Sequence, residues 1–481
     1  MRRCYRVCLL RASRRKHPRL TAFDQNREAN LNSTISVSDI IDEYPLSRFQ
    51  IVTIGLCGAV LILDGFDAQC IGFLAPSISE TLSIPLKNFG PVFGASLVGL
   101  MIAALAIGPI ADRWGRKWPV IISTLLFASF TVMTARVTSL NELVILRFLT
   151  GLGLGGAMPN VVSLTSEYAP KRLQSVVVAM LFCGMPAGAL LAGMVSTVAI
   201  PAWGWRSVFY FGGFIPLALL PALIKALPES VLFLSERRPN SRRIFAFMAK
   251  IAPDVAEERI NMSVPTDLPR KGLPIKHLFT EGRALGTILL WVPFFMNLLI
   301  IYFIVSWLPS FLRQAGQPVS MGVTAISLFS LGGIVGCLAE GRLMNAFGAY
   351  IILVVEFGLS VLLIAALAFT DTSFLLIMGV TFVLGCSVQG AQAALNAVAA
   401  SFYPTPMRST GVGWALGVGR VGSIVGPVLG GVLLSMDWTP RQILLTGMLP
   451  AFSAGVAILL TSSLRGDAAP YRAEPDVEEV P

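Results

Sequence analysis

The chain has 481 residues, 54% of them hydrophobic and only 13% charged, with a mean hydropathy of +0.72 and a net charge of +10. Soluble globular proteins carry about 25% charged residues, so this composition excludes that class and points to a polytopic membrane protein. The basic surplus lies in tails and loops, which argues against a nucleic-acid surface and for membrane orientation and contact with anionic lipid.

Residues 1–48 are basic: Arg2, Arg3, Arg6, Arg11, Arg14, Arg15, Lys16 and Arg19 all precede the first acid, Asp24. The apolar stretch from Val7 to Leu10 is too short for the h-region of a secretory signal. A cytoplasmic tail is expected, with an Arg-rich transit peptide as the alternative. Twelve apolar spans follow, near 49–74, 88–110, 118–137, 142–164, 174–199, 206–227, 284–308, 322–344, 350–369, 373–401, 409–434 and 441–462. The fold class is therefore all-α, with twelve transmembrane helices. A loop over 228–283 divides them into two six-helix halves, 49–227 and 284–462, and a second tail covers 463–481.

The connections from odd to even spans hold few basic residues: Lys87, Arg136, Arg206, Arg313 and Arg441. The opposite side holds Arg113, Arg116, Lys117, Lys171, Arg172, Arg342, Arg408, the tail and ten Lys/Arg of the central loop. The positive-inside rule then predicts cytoplasmic termini. The halves echo one another. NVVSLTSEYAPKR over 160–172 aligns with NAVAASFYPTPMR over 396–408 through Asn160/Asn396, Pro170/Pro406 and Arg172/Arg408. GPIADRWG over 108–115 echoes GRLMNAFG over 341–348, three residues off that register. Such repetition predicts a secondary transporter with its site near the midplane, between the halves.

Span 1 carries Asp64 and Asp67, which project from one helix face at i and i+3 around Gly65. Intramembrane carboxylates are costly unless they face a partner or a water-filled cavity. The expected role is to carry a proton along a transport pathway; the alternative is a static ion pair with Arg147. Helical rise sets Asp64 about 22 Å up a layer about 30 Å thick, with Arg147 of span 4 at about the same height. Arg420 of span 11 falls near the midplane, about 15 Å up, where its planar fork suits a carboxylate ligand. In the repeat register it lies opposite Gly184, so the halves differ there.

Between spans 2 and 3, Gly108, Asp112, Arg113, Gly115 and Arg116 form a glycine-punctuated charged loop. Asp112 is expected to cap or pair with a helix N-terminus across the half interface. Arg113 and Arg116 are expected to pair with Glu167 and latch that side, with basic anchoring at headgroups as the alternative. The scattered Cys4, Cys8, Cys57, Cys70, Cys183, Cys337 and Cys386 suggest neither a disulfide framework nor a metal site. His17 and His277 lie outside the spans.

GPIADRWGRK resembles the loop signature of the major facilitator superfamily, and RFLTGLGLGGAMPN its Arg-Gly proton-coupling motif. Asp64-Gly65-Phe66-Asp67, Pro228-Glu229-Ser230, SWLPSFLRQAG at 306–316 and FYPTPMRSTGVGWALGVGR at 402–420 resemble the aromatic acid:proton symporters, above all those for 4-hydroxybenzoate and protocatechuate. The likeness covers about 36–465. It implies the major facilitator fold and uptake of a benzoate-type anion with a proton by alternating access. It also implies functional roles for Asp64, Asp67, Asp112, Arg147, Glu167, Arg408 and Arg420. The second-half loop departs from the pattern, with Asn345-Ala346 where Asp-Arg is usual; Glu340 and Arg342 are possible substitutes.

An aromatic cargo needs a stacking surface, for which Tyr302, Phe303, Trp307 and Phe329 are candidates; core packing or interfacial anchoring is the competing reading. Gln389, Gln392 and Asn396 share a face of span 10 and could bond a ring hydroxyl or carboxylate, or only neighbouring helices. Glu356 is read as snorkelling or pairing with Arg342, with no part in transport. The partners expected are a small aromatic acid, a proton and membrane lipid, for a monomer in a bacterial cytoplasmic membrane. No cofactor beyond the proton gradient is expected, no phosphate loop drives it with ATP, and no nucleophile–base pair marks an enzyme. The competing functions are symport of another organic or sugar acid, and a membrane chemoreceptor for aromatic acids.

Overall fold

The computed structural model describes residues 41–42, 44–231, 233–234, 247, 250–251, 275–280, 283–370, 373–403 and 407–464. Among them are twelve helices long and apolar enough to cross a bilayer. In the first set these are α1 (Arg48–Leu82), α2 (Gly90–Trp114), α3 (Lys117–Thr134), α4 (Leu140–Tyr168), α5 (Lys171–Trp203) and α6 (Trp205–Ala226). The second set comprises α7 (Ala284–Gln314), α8 (Val319–Phe347), α9 (Ala349–Phe369), α10 (Phe374–Phe402), α11 (Arg408–Ser435) and α12 (Pro440–Ser463). Each coincides with a predicted span. The largest extensions past a predicted end are in α1, which passes through Pro76 to Leu82, and α7, which passes through Pro309 to Gln314. A bilayer helix keeps a proline where neighbouring helices support the freed backbone group.

Local chemistry starts the helices as the sequence requires. Ser47 and Gln50 form a reciprocal capping box at the head of α1. Ser139 caps α4, and Glu142 sits in its first turn. Gln50 also donates from Nε2 to the Tyr168 carbonyl at 2.9 Å, tying the start of α1 to the end of α4. Large apolar side chains such as Leu105, Trp203, Leu362, Leu375 and Leu449 remain exposed around the bundle, as a lipid-facing surface requires.

The helix pairings repeat with an offset of six. In the first set α1 packs on α5 and α6, α2 on α4, and α3 on α4 and α6. In the second, α7 packs on α11 and α12, α8 on α10, and α9 on α10 and α12. The sets meet through two matching seams, α5 on α8 and α2 on α11, with α1 against α7 between them. The sequence echoes at 160–172 and 396–408 are thus traces of one six-helix plan used twice.

Contacts joining the sets gather toward the α1–α2 end. Glu80 of α1 pairs with Arg313 of α7 at 2.9 Å. Gly90 and Gly431 bring α2 and α11 together, while Gly193 of α5 meets Ser327 of α8. Trp307 sits edge-on to Phe93 of α2 with centroids 5.2 Å apart. Toward the α2–α3 end, no described residue of another helix lies within 4 Å of a Cβ built on Gly413 or Gly417 of α11.

The α2–α3 turn is held by an acid outside the loop. Gly115 adopts φ +88, and Glu229 lies directly against it. Glu229 Oε1 accepts from the backbone N–H groups of Arg116 at 2.6 Å and Lys117 at 3.1 Å, capping α3 with a negative charge. Gly115→Ala is expected to lower stability by about 1–3 kcal/mol, from left-handed strain and displacement of Glu229. Thermal unfolding of the purified protein in detergent checks this.

Candidate functional site

The site grows from the middle of α1. Asp64 and Asp67 are both buried there. Gly65, between them, faces the Met185 backbone of α5, and Gly188 of α5 faces the α1 backbone at Ile62–Phe66. The missing side chains let two helix backbones touch, which presents the aspartates to α4 and to the second set.

Asp67 is the acid that finds Arg147. Its Oδ2 accepts from Arg147 Nη1 at 3.2 Å, and its Oδ1 accepts from Thr131 Oγ1 of α3 at 2.5 Å. Arg147 Nη2 donates to Thr134 Oγ1 at 3.3 Å and Thr150 Oγ1 at 3.2 Å. The guanidinium lies 5.1 Å from the Phe209 ring centroid of α6. This corrects the depth estimate that matched Arg147 with Asp64. One turn of helix separates the two acids, and a long arginine side chain spans that difference.

Among the described residues, Asp64 has no ion-pair partner of that kind. Its Oδ1 is buried without a hydrogen bond among the described residues. The cation that acts on it electrostatically is Arg420, from the other set. Arg420 Nη1 is 3.5 Å from Tyr302 Oη of α7, and its Nη2 is 3.7 Å from Met158 Sδ of α4. It therefore bridges both sets. α11 approaches α7 closely through Gly419, Gly422 and Gly426, which positions Arg420 beside Tyr302.

On α10, Gln392 Oε1 accepts from Asn297 Nδ2 of α7 at 3.0 Å, and Gln392 Nε2 reaches Asn396 Oδ1 at 3.4 Å. Asn297 also donates to the Val388 carbonyl at 3.0 Å. Gln389 instead bonds the Phe329 carbonyl of α8 at 3.2 Å. Gln392 and Asn396 thus form a polar chain beside α7, whereas Gln389 serves helix packing.

Trp307 does not sit beside Arg420. It is fully buried, donates its indole N–H to the Pro427 carbonyl at 2.8 Å, and stacks on Phe311 at 5.8 Å. With both face and N–H occupied, it closes the α1–α2 end. Phe303 and Phe329 are likewise buried in the apolar core.

The predicted latch is present in part. Arg116 forms an ion pair with Glu167 at the end of α4. Glu167 Oε2 accepts from Ser230 Oγ at 2.6 Å, and Tyr168 Oη donates to the Glu229 carbonyl at 2.7 Å. All these residues belong to the first set or to the segment after α6, so this network braces that set rather than crossing to the other. Gly108 and Arg113 are exposed, as is Arg408 at the head of α11. The Asp112 side chain and its expected cap lie outside the described residues, as does Pro406.

Sequence reasoning missed Thr131, Thr134, Thr150, Phe209, Met158 and Asn297. Short hydroxyls and a lone amide inside apolar spans give no signal until the helices are assembled. It also misread Glu356, which faces Glu340 rather than snorkelling, while Arg342 is exposed.

Two repeated six-helix sets, with a buried acid–arginine pair inside the first and Arg420 of the second reaching between them, define a polytopic membrane transporter rather than an enzyme. The chain belongs to the Major Facilitator Superfamily, whose family model matches residues 57–427. Among curated proteins it is similar to the gallate transporter of Pseudomonas putida, 40% identical over 443 residues, covering 92% of this chain and 98% of that protein. It is also similar to the 4-hydroxybenzoate transporter PcaK of Pseudomonas putida, 36% identical over 432 residues, covering 90% and 96%. Among solved structures, a bacterial homologue of the lysosomal transporter Spinster, inward-facing and unoccupied, matches with a TM-score of 0.69 at 16% identity, covering 89% of this chain and all of that one. A D-xylose-proton symporter matches with a TM-score of 0.67 at 16% identity, covering 86% and 97%.

Proposed function

We propose that the protein is a proton-coupled symporter that imports a hydroxybenzoate-like carboxylate by alternating access. The supporting observation is the division of charge at the centre: Arg147 is committed to Asp67, whereas Arg420 reaches between the sets beside Tyr302. Arg420 then binds the cargo carboxylate through its fork, and Tyr302 offers a ring and a hydroxyl. Gln392 and Asn396 would meet ring hydroxyls, as befits a chain similar to transporters named for gallate and 4-hydroxybenzoate.

In this reading the α2–α3 end faces the cytoplasm of a bacterium, with both termini on that side and a monomer as the working unit. The contacts that join the sets at the α1–α2 end support reading this as the inward-open arrangement. A cargo carboxylate competing for Arg420 changes the field at Asp64 and, one helical turn away, at the Asp67–Arg147 pair, so that the two acids together carry the proton that moves with the cargo. Radiolabelled uptake of a hydroxybenzoate panel into proteoliposomes tests the proposal. Accumulation is expected only with an imposed pH gradient, acid outside. Equal accumulation without a gradient would refute the coupling, and no uptake of any benzoate would refute the cargo class.

A further inference from the structure

Two acids in the second set take no part in the central site. Glu340 of α8 is 2% exposed and Glu356 of α9 is 9% exposed. Both lean over Gly390 of α10: a Cβ built there would lie 2.8 Å from Glu356 Oε1 and 3.2 Å from Glu340 Oε2. Both carboxyl groups therefore lie against the same point of α10. Glu340 Oε1, Glu340 Oε2 and Glu356 Oε2 are buried and receive no hydrogen bond from any other described group.

The surrounding groups do not supply a countercharge. On α8, Cys337 Sγ donates to the Gln389 carbonyl at 3.3 Å, and Arg342 is exposed. On α9, Ser360 Oγ turns back to the Glu356 carbonyl at 2.7 Å, and Ser387 Oγ of α10 donates to the same carbonyl at 2.6 Å. Cys386 of α10 is near Glu356, and Cys183 of α5 is near Cys337 across the seam. Where α12 packs on α9, it brings Gly455 against Phe357, while its Arg441 lies over the Phe369 ring at the other end of α9. Arg313, the cation of α7, is paired with Glu80. Among the described residues, no lysine, arginine or histidine pairs with either acid.

Two buried, ionised carboxylates side by side would lose hydration without compensation and would repel through a low dielectric. One proton between them removes that conflict, since an acid donates to a carboxylate in a short charge-assisted bond. We propose that Glu340 and Glu356 hold one proton between them, a second proton-binding site in the second helix set, apart from Asp64 and Asp67. The shared proton clasps α8 to α9 across the glycine of α10. Its loss would drive α8 and α9 apart beside the helix that carries Gln392 and Asn396.

The test is infrared spectroscopy of the full-length protein in lipid nanodiscs at neutral pH, without cargo, reading the carbonyl stretch of protonated carboxylic acids. Glu356→Gln and Glu340→Gln are each expected to lose the band of one carboxylic acid, because the new amide donates to a carboxylate that then ionises. The same loss is expected in an Asp67→Asn background, where failure of the coupling role would not affect it. Unchanged band area in both variants would overturn the proposal. Should neither variant fold, Asp64→Asn, which removes the acid of the first set left unpaired among the described residues, decides. A protonated-acid band that disappears in alkali together with thermal stability supports the site. Absence of the band, or stabilisation of the wild type by sodium instead of by protons, overturns it.

Discussion

Asp67→Asn is expected to abolish accumulation driven by a pH gradient while leaving exchange of cargo between equal pools. Asp67 is the sole carboxylate bonded to Arg147 among the described residues, in a pocket otherwise furnished by Thr131, Thr134, Thr150 and Phe209. Removing one partner of a buried pair costs about 3–5 kcal/mol, because the remaining charge is left uncompensated. The variant should therefore also be less stable. Asp67→Asn combined with Arg147→Gln separates the two effects. It relieves the buried charge and should recover much of the stability, but not the accumulation. Full gradient-driven accumulation by Asp67→Asn in proteoliposomes would show that the pair only holds helices together.

Arg420→Ala is expected to weaken cargo binding by about 30-fold or more, from the loss of about 2–5 kcal/mol for a charge-assisted contact. The fold should survive, since Arg420 is half-buried and its side-chain hydrogen bonds among the described residues are long ones, to Tyr302 and Met158. Arg420→Lys keeps the charge but loses the fork, and should recover only part of the affinity. Calorimetric titration of purified protein with 4-hydroxybenzoate reads both variants. Equal affinity in Arg420→Ala and wild type would remove Arg420 from the site.

The twelve spans were legible because a bilayer imposes its thickness on the sequence. The repeat was legible because Asn160, Pro170 and Arg172 recur at one offset. Site detail was less so. Depth along a helix resolves about one turn, so helical rise matches Arg147 with Asp64 although Asp67 holds it. Trp307 has the composition of a stacking surface, but its Pro427 contact depends on how α7 crosses α11. Glu340 and Glu356 sit on separate helices, and only assembly over Gly390 brings them together. Glu229 lies after α6 and caps α3, a long-range contact that no local cap pattern announces.

Whether cargo and proton move together is the question on which the account turns. Purified protein in sealed vesicles, with a pH-sensitive dye outside and no imposed gradient, answers it when 4-hydroxybenzoate is added. Alkalinisation of the outer medium in step with cargo entry, abolished by Asp67→Asn, is the predicted result. Cargo entry with no change in external pH would contradict the account.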